Sequence, residues 1–313
     1  EKEITLFHAK VVLDINQSIK KSTPLPEIIG FHGQTMFHNS KEKISLQLGD
    51  GNLLSQLTNK TVIYDFRQND LRNGGQGAPL TPIFHKSLRN KFWGEKLPLV
   101  LINIGGITNA TCFHPENKFK KKMFAGDLGP GNCLIDEWIR NNSKKRYDKN
   151  GLIAKSGKID ELMLIQALEN FKIGFENSMD IKDFDISFVR GLSIEDGAAT
   201  LTKFTSEVIS TNLVELMIEK KFDFNNKHLT NIIICGGGRK NKYLIDLLQQ
   251  KIKSQIKLNK FQLIDDYSID GDFIESQAFA FLAIRSYLKM PISFPETTGC
   301  NMPITGGKIA NNF

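Results

Sequence analysis

The sequence has no apolar stretch near the roughly 18 residues that a helix needs to cross a bilayer, although 40% of its 313 residues are hydrophobic. No apolar run follows the charged residues at its start, so a secretory signal is not expected there. The hydrophobic content is enough for the core of one or two domains. These features predict a soluble, cytoplasmic protein that does not bind membranes.

Paired cysteines are also missing. The four cysteines, Cys112, Cys133, Cys235 and Cys300, are scattered and form no CxxC pair. This spacing argues against a zinc cluster and against a disulfide framework. We expect four reduced, buried thiols, as in intracellular proteins.

Arginine is scarce for a chain with a net charge of +7. Only 8 of the 41 basic residues are arginine, and the lysines are spread along the sequence. The densest basic run, residues 118–122, is short and contains one aromatic side chain. A nucleic-acid-binding protein more often clusters arginine among several aromatic residues, so no nucleic-acid partner is expected.

The second half of the chain has a clear alternation of apolar strands and amphipathic helices. The spacing of apolar residues predicts three strands, a helix and then a long helix that Ser193 caps. Further strands and helices follow in alternation. The predicted strands are 99–103, 109–113, 122–125, 231–235 and 261–265, and the predicted helices are 133–140, 194–219, 241–255 and 272–289.

The first half repeats only the later part of this order. It predicts helix 7–21, strand 27–31, helix 52–59 and strand 61–65, with no three-stranded meander before them. A duplicated βββαβα unit with a nucleotide between its copies is typical of the two-lobed actin, Hsp70 and sugar-kinase (ribonuclease H-like) fold. We therefore expect this α/β fold, with an incomplete sugar-binding lobe at 1–97 that lacks its opening β-hairpin. A second lobe at 98–313 would bind nucleotide and carry the catalytic base.

Two glycine turns are candidate phosphate and nucleotide sites. Gly105 and Gly106 lie between two predicted strands, where glycine lets backbone N–H groups approach an anion. Such turns are also common in ordinary hairpins. The triplet Gly236, Gly237 and Gly238 lies between a buried strand and a helix, where a flat ligand could lie on the backbone. The alternative is a tight strand-to-helix turn.

Polar residues follow the two strands predicted in the first half. Because ligands gather at the carboxyl ends of strands in open α/β sheets, these residues are candidates for binding a sugar. His32 taken alone is better explained as a structural histidine than as a ligand contact, and Arg67 could form a buried ion pair with its neighbouring acids. The residues in question are His32, Gln34 and Thr35 after the first strand, and Asp65, Arg67 and Asp70 after the second.

Asp127 is the strongest candidate for a catalytic group. It closely follows a predicted strand and precedes Gly129-Pro130-Gly131 at the start of a helix. A carboxylate there can accept a proton from an attacking hydroxyl or water, the single base that phosphoryl transfer requires. Alternatively, it caps the helix that starts near Asn132.

Glu275 opens the last long helix. An acid in the first turn is favoured by the helix dipole, which is a sufficient structural explanation. The sequence leaves open whether Glu275 also contacts a substrate.

Taken together, these motifs resemble the anhydro-N-acetylmuramic acid kinase family over nearly the whole chain from about residue 25. GGQGAPL followed by DxGPGN is the most specific part of the resemblance. The matching segments are 32–35, 65–67, 74–80, 103–109, 127–132, 235–238, 275–280 and 293–299.

The resemblance implies an enzyme that uses ATP and Mg²⁺ to open the anhydro ring with water and phosphorylate the 6-oxygen. The product would be N-acetylmuramic acid 6-phosphate, an intermediate of peptidoglycan recycling. The resemblance also implies site roles and a homodimer, but leaves the metal ligands unassigned. Those roles are Asp127 as general base, His32, Gln34, Thr35, Arg67 and Glu275 at the sugar, Gly105, Gly106 and Asn109 at the phosphates, and Gly236, Gly237 and Gly238 near the adenosine.

Two departures from the family pattern stand out. Nothing like the family's Gly-Thr-Ser-x-Asp-Gly phosphate loop precedes Glu1, and Asn177 stands where a lysine is expected. We interpret the chain as a partial sequence of a working kinase. The alternatives are an inactive sugar-binding sensor of the same fold and, more distantly, a chaperone-like ATPase.

Overall fold

The computed structural model describes residues 1–19, 23–96, 98–115, 123–171, 179–220 and 230–313. The fold is mixed α/β, and the chain forms two compact units, Glu1–Ser87 with Glu275–Phe313 and Leu88–Ile274. The lysine run 118–122 and Asn177 lie outside the described residues. Among the described helices, none has the length and apolarity of a membrane span.

The helices and strands are numbered along the chain. The strands are β1 Ile28–Phe31, β2 Gln34–Asn39, β3 Ile44–Leu48, β4 Thr61–Tyr64, β5 Leu99–Ile104, β6 Ile107–Phe113, β7 Met123–Pro130, β8 Thr230–Cys235, β9 Leu258–Leu263 and β10 Lys308–Ala310. The helices are α1 Lys2–Ser18, α2 Gly51–Thr58, α3 Gln68–Arg72, α4 Pro82–Phe92, α5 Cys133–Asn142, α6 Leu152–Ser156, α7 Glu161–Asn170, α8 Ile194–Glu219, α9 Lys242–Gln255, α10 Ile274–Tyr287 and α11 Pro295–Thr298.

The second unit is built on a five-stranded sheet with the order β7-β6-β5-β8-β9. The first three strands form an antiparallel meander, and β8 and β9 run parallel to β5. Every residue of β5 and β8 is buried, which explains why both read as continuous apolar runs in the sequence. The strands of this half follow one another along the chain as predicted, three before α5 and two after α8.

Helices α8 and α9 cover one face of this sheet. Leu244, Leu248 and Ile252 recur every four residues along α9 and pack in the same core as Ile102 and Ile234. Helix α8 has the predicted bounds. It begins where predicted because the Ser193 side chain accepts a hydrogen bond from the Asp196 N–H (3.0 Å) and caps its first turn.

The first unit contains a three-stranded sheet, β1-β4-β10, and a separate hairpin of β2 and β3. Strands β1 and β4 are parallel, and β10 pairs antiparallel with β4. The boundary predicted at residues 97/98 placed the C-terminal segment in the second lobe. The structure places Glu275–Phe313 in the first unit, because β10 joins its sheet and Leu282 of α10 packs with Ile63 and Phe66 in its core.

The β2–β3 hairpin is absent from the sequence-based prediction. Its apolar side chains Met36, Phe37, Ile44 and Leu46 are all exposed, so the ribbon buries no single face. The sequence of β3, Ile44-Ser45-Leu46-Gln47-Leu48, alternates apolar and polar residues, which is the usual pattern of a strand. The sequence-based prediction misses this pattern and has no strand in residues 34–48.

Candidate functional site

His32 and Arg67 meet at the carboxyl edge of the first sheet. Strands β1 and β4 are parallel, with Phe31 opposite Tyr64, so the residues that follow them leave the sheet at the same edge. The Arg67 Nε–H donates to Nε2 of His32 at 3.0 Å. Arginine can only donate, so Nε2 is the acceptor and Nδ1 carries the proton, which it donates to the carbonyl of Gly33 at 2.9 Å.

His32 is therefore a neutral imidazole held in one tautomer. Burial, together with the Arg67 charge, lowers the pKa of His32 to about 4. Its ring packs on Phe279 of α10, with ring centroids 4.4 Å apart, and Phe279 in turn contacts Phe66. The ring contacts and the hydrogen bonds together fix both the orientation and the protonation state of the imidazole.

The other predicted sugar-binding residues occupy the same unit. Gln34 and Thr35 begin β2, where both are exposed, and the Thr35 hydroxyl accepts from Gln47 Nε2 at 3.3 Å. Glu275 is exposed in the first turn of α10, one helical turn before Phe279. Residues four apart share a helix face, so Glu275 lies on the side of α10 that contacts His32.

Asp127 lies inside strand β7 rather than after a strand as predicted. The Asn132 position, not Asp127, is the N-cap of α5. The Oδ2 atom of Asp127 accepts a hydrogen bond from the backbone N–H of Met179 at 2.8 Å, which orients the carboxylate. The loop that begins at Met179 therefore fixes the candidate base.

Asp127 belongs to a polar row across the sheet of the second unit. It lies opposite Asn109 on β6, which lies opposite Asn103 on β5. Residues directly opposite each other in an antiparallel sheet project from the same face. The register shifts at Thr108/Asn109, and the carbonyl of Leu128 at this bulge accepts from Asn212 Nδ2 at 2.9 Å.

The Gly105-Gly106 turn is tied to the start of α5. The carbonyl of Gly105 accepts from both the N–H (2.8 Å) and the side-chain Nδ2 (3.1 Å) of Asn132. The carbonyl of Gly106 accepts from the N–H of Gly131 at 2.8 Å. These bonds fix the turn, with Gly106 exposed at its tip.

The three glycines after β8 differ in how much room their surroundings leave for a side chain. Gly236 has φ +79°, and a Cβ there would lie 2.5 Å from the carbonyl oxygen of Ile104. A Cβ at Gly238 would lie 2.7 Å from the Ile104 Cβ, so close packing on β5 requires both glycines. Gly237 is exposed, and a Cβ there would meet nothing closer than Asn132 Nδ2 at 3.9 Å.

Gly237 opens onto a cavity of about 420 Å³ in the second unit. This volume is in the range of small-molecule sites, and the wall combines apolar, amide and charged side chains, which suits part of a nucleotide. The described residues contain no group of three or more His, Cys, Asp or Glu placed to hold a metal ion. The cavity is lined by Asn132, Ile135, Asp136, Tyr147, Asp148, Lys149, Asn150, Gly237, Lys240 and Asn241.

Comparison with known proteins identifies the family of the chain. The family model described as anhydro-N-acetylmuramic acid kinase matches residues 1–312. The chain belongs to the anhydro-N-acetylmuramic acid kinase family.

Several relatives carry this family name. The Pelagibacter ubique protein is 50% identical and aligns with 100% of this chain and 80% of its own length. The Zymomonas mobilis protein is 38% identical, with 98% of this chain and 79% of the relative covered. A Brucella suis protein is 36% identical at the same coverage, 98% and 79%.

One similar solved structure is the activator of the 2-hydroxyisocaproyl-CoA dehydratase from Clostridium difficile with bound ADPNP. It is 10% identical, with a TM-score of 0.35 over 62% of each chain. This similarity is too low to support a conclusion.

A hydrogen-bond network behind Arg67 was not predicted from the sequence. Arg67 Nη1 donates to the carbonyl of Gly77 at 2.8 Å, and the N–H of Gly77 donates to Asp70 Oδ2 at 2.6 Å. The other oxygen of fully buried Asp70 accepts from the hydroxyl of Thr298 at 2.6 Å. The network links the GGQGAPL segment and the 293–299 segment, two of the motifs that resemble the kinase family, to His32.

The acids that flank Arg67 have other partners. Asp65, in the left-handed region at φ +57°, forms an ion pair with Lys308 Nζ at 2.7 Å and raises the pKa of that lysine. Asp70 accepts from Gly77 and Thr298 as described above. The acids around Arg67 are visible in the sequence, but no local pattern identifies Lys308 and Thr298, which contact them from the other end of the chain.

Proposed function

We propose that this chain uses ATP to convert 1,6-anhydro-N-acetylmuramic acid to N-acetylmuramic acid 6-phosphate, a step in the recycling of bacterial peptidoglycan. The observation that carries the proposal is the family match over residues 1–312. The geometry within each unit supports it, because the Met179 N–H orients Asp127 in the second unit and Arg67 holds His32 in the first.

The reaction couples hydrolysis to phosphoryl transfer. Water attacks the anomeric carbon C1, the bond from C1 to the bridging oxygen breaks, and that oxygen becomes O6. O6 bonds to the γ-phosphorus as the bond to the β-phosphate oxygen breaks, and ADP leaves. Asp127 accepts the proton of the attacking water, with its orientation fixed by the Met179 N–H.

The sugar would be bound by residues of the first unit. Neutral His32 and polar Gln34, Thr35 and Glu275 match the hydroxyls and the acetamido group of the substrate. Arg67 is always charged and suits the lactyl carboxylate of muramic acid.

The nucleotide would be bound by residues of the second unit. Gly105, Gly106 and Asn109 would face the phosphates, and Gly236, Gly237 and Gly238 the adenosine. The openness above Gly237 and the adjoining cavity support this assignment. Mg²⁺ would accompany ATP and neutralise phosphate charge, and this proposal assigns it no protein ligand.

The architecture supports the two-lobed actin, Hsp70 and sugar-kinase fold as part of the proposal. The second unit has a meander followed by two parallel strands, and the parallel β1 and β4 of the first unit repeat the later part of that order. We further propose a homodimer that acts in the cytoplasm, where ATP is supplied, without nucleic-acid or membrane partners.

The direct test is mass-spectrometric detection of N-acetylmuramic acid 6-phosphate after incubation with ATP, Mg²⁺ and the anhydro sugar. We expect product from the purified protein and far less in the same time from Asp127→Asn. Sugar binding that is independent of nucleotide, with no product, would instead support the inactive sensor.

A further inference from the structure

Two acidic side chains, Asp136 and Asp148, line the cavity beside Gly237 and differ in their surroundings. The carboxyl group of Asp136 on α5 is half-buried in the cavity wall and forms no hydrogen bond or ion pair with any residue that the structure describes. Asp148, the other acid of the wall, has a structural role: its two oxygens accept from the N–H groups of Ile153 and Ala154, both at 2.9 Å. Asp136 is thus the acid available to a ligand.

The position of Asp136 follows from that of the glycine turn. Its N–H donates to the carbonyl of Asn132 at 2.8 Å, so the two residues are one helical turn apart on the same face of α5. Asn132 holds Gly105 of the proposed phosphate turn. A nucleotide that extends from this turn into the cavity places its ribose, the group next to the phosphates, at the level of Asp136.

The rest of the wall suits the base and the charge of such a ligand. Tyr147 and Ile135 supply apolar surface, and Lys149 and Lys240 supply positive charge. Lys240 also forms an ion pair with Asp272, which holds its side chain in place.

We propose that Asp136 accepts hydrogen bonds from the ribose hydroxyls of ATP and makes the site selective for ribonucleotides over deoxyribonucleotides. A carboxylate reads ribose hydroxyls in the same way in dinucleotide-binding folds. Burial raises the pKa of Asp136 to about 6, against the opposing effect of Arg140 and with a contribution from Asp148, so the group is an ionised acceptor at pH 7.5. The proposal rests on the proposed function, because it assumes that the cavity binds ATP.

Calorimetric titration with ATP, 2′-dATP and 3′-dATP at pH 7.5 tests this proposal. We expect the unmodified protein to bind ATP about tenfold more tightly than at least one deoxynucleotide, the effect of one lost charge-assisted hydrogen bond. Asp136→Ala should remove this discrimination, and Asp136→Asn should retain part of it.

Glu137→Gln is the matched control, since Glu137 is the next residue on α5 and does not line the cavity. It should bind all three nucleotides as the unmodified protein does. Equal binding of ATP and both deoxynucleotides by the unmodified protein, a comparison that needs no variant to fold, would overturn the inference and leave the proposed function intact. A protein that binds no nucleotide at all would overturn both.

Discussion

The Nε–H of Arg67 points at Nε2 of His32 over 3.0 Å, and this bond defines the proton on the imidazole. A histidine in this position is useful only as a neutral group, because a proton on Nε2 would face the guanidinium. The charge of Arg67 and the burial of the ring act in the same direction on the pKa of His32. The pair thus links the proposed sugar site to the pH dependence of stability.

The first prediction concerns that pH dependence. The pKa of His32 is lowered from 6.5 to about 4 on folding, so its contribution to stability is complete above pH 6.5 and is lost as the pH falls towards 4. From pH 7 to pH 5, the free energy of unfolding should therefore fall by about 1–2 kcal/mol more in the unmodified protein than in His32→Gln. Urea unfolding of both proteins at both pH values measures this difference.

His85 provides an internal control for this measurement. Burial lowers its pKa to about 4 as well, so it contributes a similar loss in both proteins. If His32→Gln and the unmodified protein lose the same stability between pH 7 and pH 5, the neutral assignment of His32 is wrong.

The second prediction concerns Asp127. Asp127→Asn preserves the size of the side chain and can still accept from the Met179 N–H, but it cannot take up a proton. We expect kcat to fall by about 10²–10⁴-fold, with the Kd for the sugar and the thermal stability little changed. Asp180→Asn is the control, because it changes an acid next to Met179. The Asp180 side chain accepts a hydrogen bond from the Lys182 N–H, and an amide oxygen can accept the same bond, so this variant should keep full activity. A Met179 loop that unfolds in Asp127→Asn would show that the carboxylate is structural instead.

The third prediction concerns the support of Arg67. Thr298→Val removes the hydroxyl that donates to buried Asp70 and leaves that carboxylate partly unsatisfied, at a cost of about 1–3 kcal/mol. Because Asp70 holds Gly77, which accepts from Arg67, we expect KM for the sugar to rise about tenfold with KM for ATP unchanged.

Thr298→Ser keeps the hydroxyl and should restore the sugar KM. A purely structural role would instead lower the melting temperature of Thr298→Val without this selective change in KM. The comparison of the two substrates in one protein therefore separates positioning from stability.

The sequence predicts those helices and strands whose pattern lies within a short stretch of the chain. Helix α8 has a serine cap and apolar residues at helical spacing, and β5 and β8 are unbroken apolar runs, so their positions were clear. The glycines near Asp127 predict a loop after a strand, whereas β7 continues through them with a bulge at Leu128, opposite Thr108 and Asn109 of β6. The bond between Asp70 and Thr298 joins residues 228 apart in the chain, and no local pattern reports such a contact.

The last prediction contrasts Gly238, which packing requires, with Gly237, which faces the proposed nucleotide site. Gly238 is buried, and a methyl group there would press on the Ile104 Cβ at 2.7 Å, so Gly238→Ala should lower the free energy of unfolding by about 1–3 kcal/mol. At Gly237, an added methyl group would come no closer to another protein atom than 3.9 Å, at Asn132 Nδ2. Gly237→Ala should therefore change the free energy of unfolding by less than about 0.5 kcal/mol. Its methyl group would project towards the proposed nucleotide and raise KM for ATP. Chemical unfolding and ATP-dependent kinetics on both variants test this, since a stable Gly237→Ala protein with normal ATP binding would show that the nucleotide does not lie against this turn.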